Sequence, residues 1–134
     1  MKRKQFVKAA LLTALASGAV HVPARDVYVI ANPGLTATET DVKEIFTGEK
    51  QISSGVKIRP ADNSALQLEF LSKVIHMESA KYNAMWTKKS FRDGVAVPPI
   101  KGSDAEVEAY VKSTPGAIGY VSSPVDGVKL LGKF

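Results

Sequence analysis

The segment Asp26 to Ala31 (DVYVIA) constrains the fold more than any other stretch of the chain. Its apolar residues follow one another without period-2 alternation, so a strand formed here has no face to turn to water. Such strands lie in sheets covered on both sides, typically parallel sheets with helices on each face. Asn32-Pro33-Gly34 then breaks the run with turn residues. Thr38 to Phe46 reads as a short helix, with Thr38 as cap, Asp41 three residues on, and Val42, Ile45 and Phe46 on one apolar face. Gly48 is placed to end it. Val56 to Pro60 (VKIRP) alternates, as a strand with one exposed face does. Ala61-Asp62-Asn63-Ser64 reads as a polar turn, and Leu66 to Ile75 as a helix capped by Ser64, Asn63 or Asp62. Gln67 falls inside the apolar arc of that helix and so faces the interior or a cleft.

Ser79 to Phe91 is a further helix, with Tyr82, Met85 and Trp86 on one face, Trp86 reading as core. Gly94 to Ile100 carries Pro98-Pro99 and reads as an extended connection. Ser103 to Ser113 has a capping box at Ser103 and Glu106, with Val107, Tyr110 and Val111 facing inward. Thr114-Pro115-Gly116 stops it. Ala117 to Val121 and Val128 to Leu131 read as strands around a turn at Pro124 to Gly127. Strands alternating with helices predict an α/β domain with a mostly parallel sheet flanked by helices. The 134 residues, 45% of them hydrophobic, suit one domain with a sizeable core, and neither repeats nor interior linkers divide them.

The N-terminus reads as a secretory signal. Lys2, Arg3, Lys4 and Lys8 precede an apolar run from Ala9 to Val20, which is 12 residues long. A membrane span needs roughly 20. Small residues follow, with Val22-Pro23-Ala24 as the expected cleavage site and Ser17-Gly18-Ala19 as a second. This assigns 1–24 to the signal and 25–134 to the mature domain. With no cysteine, disulfides and an N-terminal lipid anchor are excluded. The expected product is soluble and periplasmic, with no membrane span after the signal is removed. The net charge of +5 points at first to nucleic acid. The signal takes four basic residues with it, leaving 14 against 13 acidic ones and a net charge of +1. No nucleic-acid partner is therefore expected, and Lys88, Lys89 and Arg92 read as a solvated helix face.

Enzyme chemistry has no positive feature. The mature segment holds one histidine, His76, and no G-x-S-x-G elbow, Walker A loop or G-x-G-x-x-G turn. No metal-ligand spacing and no cofactor motif occurs. The turn from Arg59 to Ser64 (RPADNS) is the more informative stretch, because it joins the end of a strand to the start of a helix, where open α/β sheets place ligands. A helix start offers free N–H groups to an anion. Here Ala65 and Leu66 would supply them, Ser64 a hydroxyl and Arg59 a full charge. Asp62 would accept from a protonated oxyanion or hold Arg59 in place. The same residues also read as a plain N-cap with a surface ion pair. Arg59, Asp62, Asn63, Ser64 and Gln67 are the candidate ligand-binding residues.

Thr114 to Val121 (TPGAIGYV) resembles a sequence signature of phosphate ABC-transporter substrate-binding proteins, and Asp41 to Gly48 (DVKEIFTG) is similar to their LxxIFxG segment. Gly102-Ser103-Asp104 and Val107, in the helix before the first motif, are similar too, as is the Tyr- and Met-containing helix around Trp86. Asp62-Asn63-Ser64 falls where that family binds phosphate. The family loop is of the D-G-S-G-T type; Asp62 and Ser64 match it, while both glycines and the Thr are replaced. The resemblance implies one lobe of a type II periplasmic-binding-protein fold, since these proteins close two lobes around a ligand. It implies an exported solute-binding module for phosphate or a similar small oxyanion, working with an ABC permease or a second protein that supplies the missing lobe. A lobe with an uncovered cleft also invites a symmetric homodimer. The alternative is an interaction or scaffold domain that kept the lobe and lost the ligand. TPGAIGYV itself reads as architecture, its glycines permitting a tight turn and close backbone approach. Mass spectrometry of the exported protein is expected to give a chain starting near Arg25; intact Met1 protein in the cytoplasm would contradict the signal assignment.

Overall fold

The structure is a computed structural model that describes residues 25–134, so the proposed signal, 1–24, lies outside the described residues. Strand β1 is Tyr28–Ala31, and its Val29, Ile30 and Ala31 are buried, as a run without alternation requires. Asn32 closes the following turn: its Oδ1 accepts from the Gly34 N–H at 2.9 Å and its Nδ2 donates to the Val111 carbonyl at 2.9 Å. A 3-10 turn, Glu39–Asp41, leads into helix α1, Val42–Phe46. The Asp41 carboxylate accepts from the Thr38 N–H at 2.9 Å, and Val42, Ile45 and Phe46 are buried. Strands β2 (Ile52–Ser53) and β3 (Val56–Lys57) form a small hairpin whose turn residues, Ser54 and Gly55, both have positive φ. Ile58 is buried between exposed Lys57 and Arg59, and β4 is Arg59–Pro60.

The expected polar turn at Ala61 to Ser64 is instead largely interior. Ala61, Asp62 and Asn63 are buried, and Asp62–Asn63 forms β5, which pairs in parallel with β6, Ile100–Lys101. Helix α2 is Gln67–Phe70 and continues as a π-helical turn, Leu71–Ile75. Its N-cap residue is Leu66, with no side-chain cap, so none of Asp62, Asn63 and Ser64 takes that position. Helices α3 (Ser79–Asp93) and α4 (Asp104–Ser113) lie where the periodicity predicts them. Ser103 caps α4 by accepting from the Glu106 N–H, while Glu106 reaches back to the N–H of Gly102. The chain ends in β7 (Ala117–Val121) and β8 (Lys129–Lys133).

The main sheet has the order β4-β7-β1-β8. It is partly parallel: β4 and β7 run together, while β1 is antiparallel to both β7 and β8. The expectation of a mostly parallel sheet took every helix as a crossover between neighbouring strands. That geometry holds for the β4–β7 pair; β1 pairs instead with strands remote in sequence, and no crossover rule fixes their direction. β7 and β8 flank β1 instead of pairing with each other. Pro60, which has no N–H to give, sits on the edge strand β4.

A large core covers one face of the sheet, built on Phe46, Phe70, Tyr82, Trp86 and Tyr120; a smaller one under α4 covers the other with Ile30, Val107, Val111 and Val121. The α/β class with helices on both faces is thus realised. TPGAIGYV is architectural throughout its buried strand. A Cβ added to Gly116, which has φ +80°, would lie 2.0 Å from the carbonyl oxygen of Lys57; one added to Gly119 would lie 2.6 Å from Val107 Cγ1. Gly116→Ala is expected to destabilise the fold by at least ~2 kcal/mol, since left-handed backbone alone costs roughly 1–2 kcal/mol for a residue with a Cβ and the clash is with rigid backbone. Gly119→Ala meets the buried, β-branched side chain of Val107 and should cost about 1–3 kcal/mol. Denaturant unfolding of both variants checks the ranking.

Candidate functional site

β5 places Asp62 and Asn63 in the interior, 2% and 0% exposed. Asp62 Oδ1 accepts from the Tyr120 hydroxyl at 2.7 Å and Oδ2 from the Tyr82 hydroxyl at 3.0 Å, with the Gln67 side chain facing the same carboxylate. Burial pushes Asp62 above the usual carboxylate range, and the two phenols and Gln67 oppose that without reversing it. Burial together with the adjacent carboxylate pushes both phenols well up, so they stay protonated donors. Asn63 is equally engaged. Its Nδ2 donates to Asp104 Oδ1 at 2.8 Å and to the Tyr120 carbonyl at 3.0 Å, and its Oδ1 accepts from the Ala65 N–H at 3.0 Å. Asp104, at the start of α4, is pushed up by burial. Hydrogen bonds from Ser122 and Asn63 and the charge of Arg25 outweigh this and hold it below the usual range.

The helix start does not offer the open donors that the sequence predicts. The Ala65 N–H goes to Asn63 Oδ1, the Leu66 N–H to the Asn63 carbonyl at 3.0 Å, and the Ser64 N–H to the Lys101 carbonyl at 2.9 Å. Ser64 is exposed at the end of this bend. An anion here would also lie beside a buried carboxylate whose oxygens already hold two phenols. Asp62, Asn63 and Gln67 therefore form one interior polar cluster, and Arg59 is not part of it.

Arg59 lines a cleft of about 220 Å³ instead. The cleft is lined by the β3–β4 segment and the connection from Gly94 to Pro99, with Ile45, Ile58, Trp86 and Tyr110 of α4 also among its lining. Lys57 and Arg59 stand two apart on an extended segment and share its exposed side. Lys50, the third cation of the lining, pairs with Asp41 at 3.1 Å; no ion pair among the described residues involves Lys57 or Arg59. Among the described residues, no carboxylate lines the cleft. Lys101 Nζ lies 4.7 Å from the centre of the Tyr110 ring. Burial pushes the Tyr110 phenol up, and the nearby charge of Arg59 opposes it. Trp86 is core, its Nε1 donating to the Phe46 carbonyl at 3.0 Å. The alternation in VKIRP carried the signal for Lys57. Nothing in the sequence brought Tyr110 to Arg59, because that contact spans strand and helix from distant parts of the chain.

No family model and no curated protein matches the chain. Solved structures share its fold, among them two transport proteins. One is an ABC-type phosphate transport receptor from Vibrio cholerae, with a TM-score of 0.50 and 15% identity over 91% of this chain and 52% of that one. The other is a protein from Clostridium perfringens assigned as a phosphate ABC transporter substrate-binding protein, with phosphate bound. It gives a TM-score of 0.50 and 17% identity over 82% of this chain and 46% of that one. At these identities the likeness concerns the fold, which is that of one lobe of a periplasmic binding protein. The chain spans about half the length of either receptor. No helix among the described residues is long and apolar enough to cross a membrane.

The interior cluster has a pH signature. The carboxyl of Asp62 is raised on folding, so the folded chain holds a proton that the unfolded chain releases. Its contribution to stability is complete below the unfolded value, ~3.9, and declines as pH climbs through the folded one. Asp62→Asn keeps the shape and an acceptor and removes the titration. The stability of wild type relative to Asp62→Asn should therefore fall as pH rises from about 4 toward neutrality. Asp62→Ala leaves buried hydroxyls without an acceptor, at about 1–3 kcal/mol each. Denaturant unfolding across pH tests both, and a wild-type/Asn difference flat in pH would refute the assignment.

Proposed function

We propose that this chain is an exported, periplasmic solute-binding module that takes phosphate or a similar small oxyanion on a single lobe. The observation that carries the reading is the cleft at Arg59, where Lys57 and Arg59 present unpaired cations and no carboxylate competes for them. A guanidinium fork matches two oxygens of a tetrahedral or planar oxyanion, which a point charge does not. The fold shared with two phosphate receptors supports the same class of ligand. In this reading Asp62, Asn63 and Gln67 act behind the site, by fixing the strand that follows Arg59, and Ser64 lies outside it. A cleft formed by one lobe leaves part of an anion in water, so a permease, a second lobe-supplying protein or a second copy of the chain completes the enclosure.

A second reading is an interaction or scaffold domain that has lost its ligand. It is favoured by the expected donors at Ser64, Ala65 and Leu66, whose N–H groups are engaged within the chain. Calorimetric titration with phosphate and sulfate separates the two. Binding heat is expected for wild type, and Arg59→Ala should weaken binding by roughly ten- to a hundredfold, the value of a charge-assisted hydrogen bond. Ser64→Ala should bind as wild type does. Loss of binding in Ser64→Ala with Arg59→Ala unaffected would move the site to the helix start. Absence of heat with any anion would leave the scaffold reading.

A further inference from the structure

Two segments that line the cleft, each forming a wall of it, differ in chemistry. One wall is the β3–β4 segment, with Lys57 and Arg59 two residues apart. The other is the connection after α3, with Val95, Val97, Pro98 and Pro99. The side chains of that second wall are apolar. Pro98 and Pro99 carry no N–H, so the amide donors along this wall are confined to its Gly94–Val97 part. The carbonyl of Pro99 is already taken by the Asp62 N–H at 2.8 Å, which fixes the wall against β5. Val97 remains 51% exposed at the rim, an apolar side chain without cover. A bare phosphate held by Arg59 would leave the apolar side chains of Val95, Val97 and Pro99 in water.

We propose that the ligand is an organic anion, a single phosphate or carboxylate group joined to a small flat apolar body. Its acidic group lies on Arg59 and Lys57, and its apolar body lies against Val95, Val97 and Pro99. This rests on the cleft being the solute site and specifies what the site selects. The volume, about 220 Å³, is below the roughly 300–1,000 Å³ of pockets that hold drug-sized ligands and suits one ring with one acidic group. The charge pattern explains the selectivity in both directions. A neutral ring gains the apolar wall and leaves two cations without a partner, while inorganic phosphate gains the cations and leaves the apolar wall in water.

Matched ligand pairs test this by calorimetry or saturation-transfer NMR: phenyl phosphate against inorganic phosphate, benzoate against acetate, and benzyl alcohol as the neutral ring. Phenyl phosphate and benzoate are expected to bind at least tenfold more tightly than their partners, with benzyl alcohol far weaker than either. Arg59→Ala should weaken both aryl anions. Val97→Ser, a change at an exposed position, should bring the ratio of phenyl phosphate to phosphate affinity down toward one. Equal affinity for phenyl phosphate and phosphate, or a ratio unmoved by Val97→Ser, would overturn the proposal while leaving an oxyanion site at Arg59 intact. Benzyl alcohol binding as tightly as phenyl phosphate would overturn it as well. Failure of every anion to bind would overturn both the proposal and the solute-binding reading beneath it.

Discussion

Asp62 and Asn63 are adjacent, buried and polar, and between them they hold four parts of the molecule in register. Asp62 gathers the hydroxyls of Tyr82 from α3 and Tyr120 from β7. Asn63 joins β5 to the start of α4 through Asp104 and to the backbone of β7 through the Tyr120 carbonyl. Each of these groups is costly to bury without a partner, so the cluster is stable only when all its members are in place. This makes it a device for specifying one arrangement of β5, α3, α4 and β7. The same bonds engage the side-chain donors and acceptors of both residues within the chain.

Around that cluster the apolar core closes on Tyr120, which serves both environments. Its hydroxyl meets Asp62, and its ring stacks on Phe70 at 3.8 Å between centroids with the planes 7° apart. Phe46 packs edge-on against Phe70 at 4.7 Å, and the Phe46 carbonyl takes the indole N–H of Trp86. Helix α1, α2 and α3 are thereby anchored to β7 through aromatic contacts that bury large areas and accept few alternative geometries. The floor of the cleft belongs to this core, since Ile45, Ile58 and Trp86 are members of both.

The architecture separates two roles that the sequence places side by side. Arg59 and Asp62 are three residues apart, yet they face opposite environments: the arginine stands on the edge strand at the cleft, the aspartate inside the fold. The change of environment occurs at Pro60 and Ala61, where the chain leaves the β4–β7 pairing and enters the β5–β6 pairing. Cations without internal partners thus remain on the surface, and the carboxylate that would have neutralised them is withdrawn.

Local pattern was enough for much of this. The unbroken apolar run of β1, the apolar face of α1, the cap at Ser103, the span of β7 and the outward pair Lys57 and Arg59 all follow from period, capping chemistry and turn residues, which act within a few positions along the chain. The glycines of TPGAIGYV signalled close approach, and the partner of Gly116 proved to be the backbone of Lys57. Tertiary structure decided what depends on long-range pairing. It set β1 antiparallel between β7 and β8, and it drew a stretch that reads as a polar turn into the interior. A polar residue is read as exposed unless its partners are known, and the partners of Asp62 and Asn63 come from residues 82, 104 and 120. Sequence determined which side chains are able to bind an anion; the folded chain determined which of them are already bound to each other.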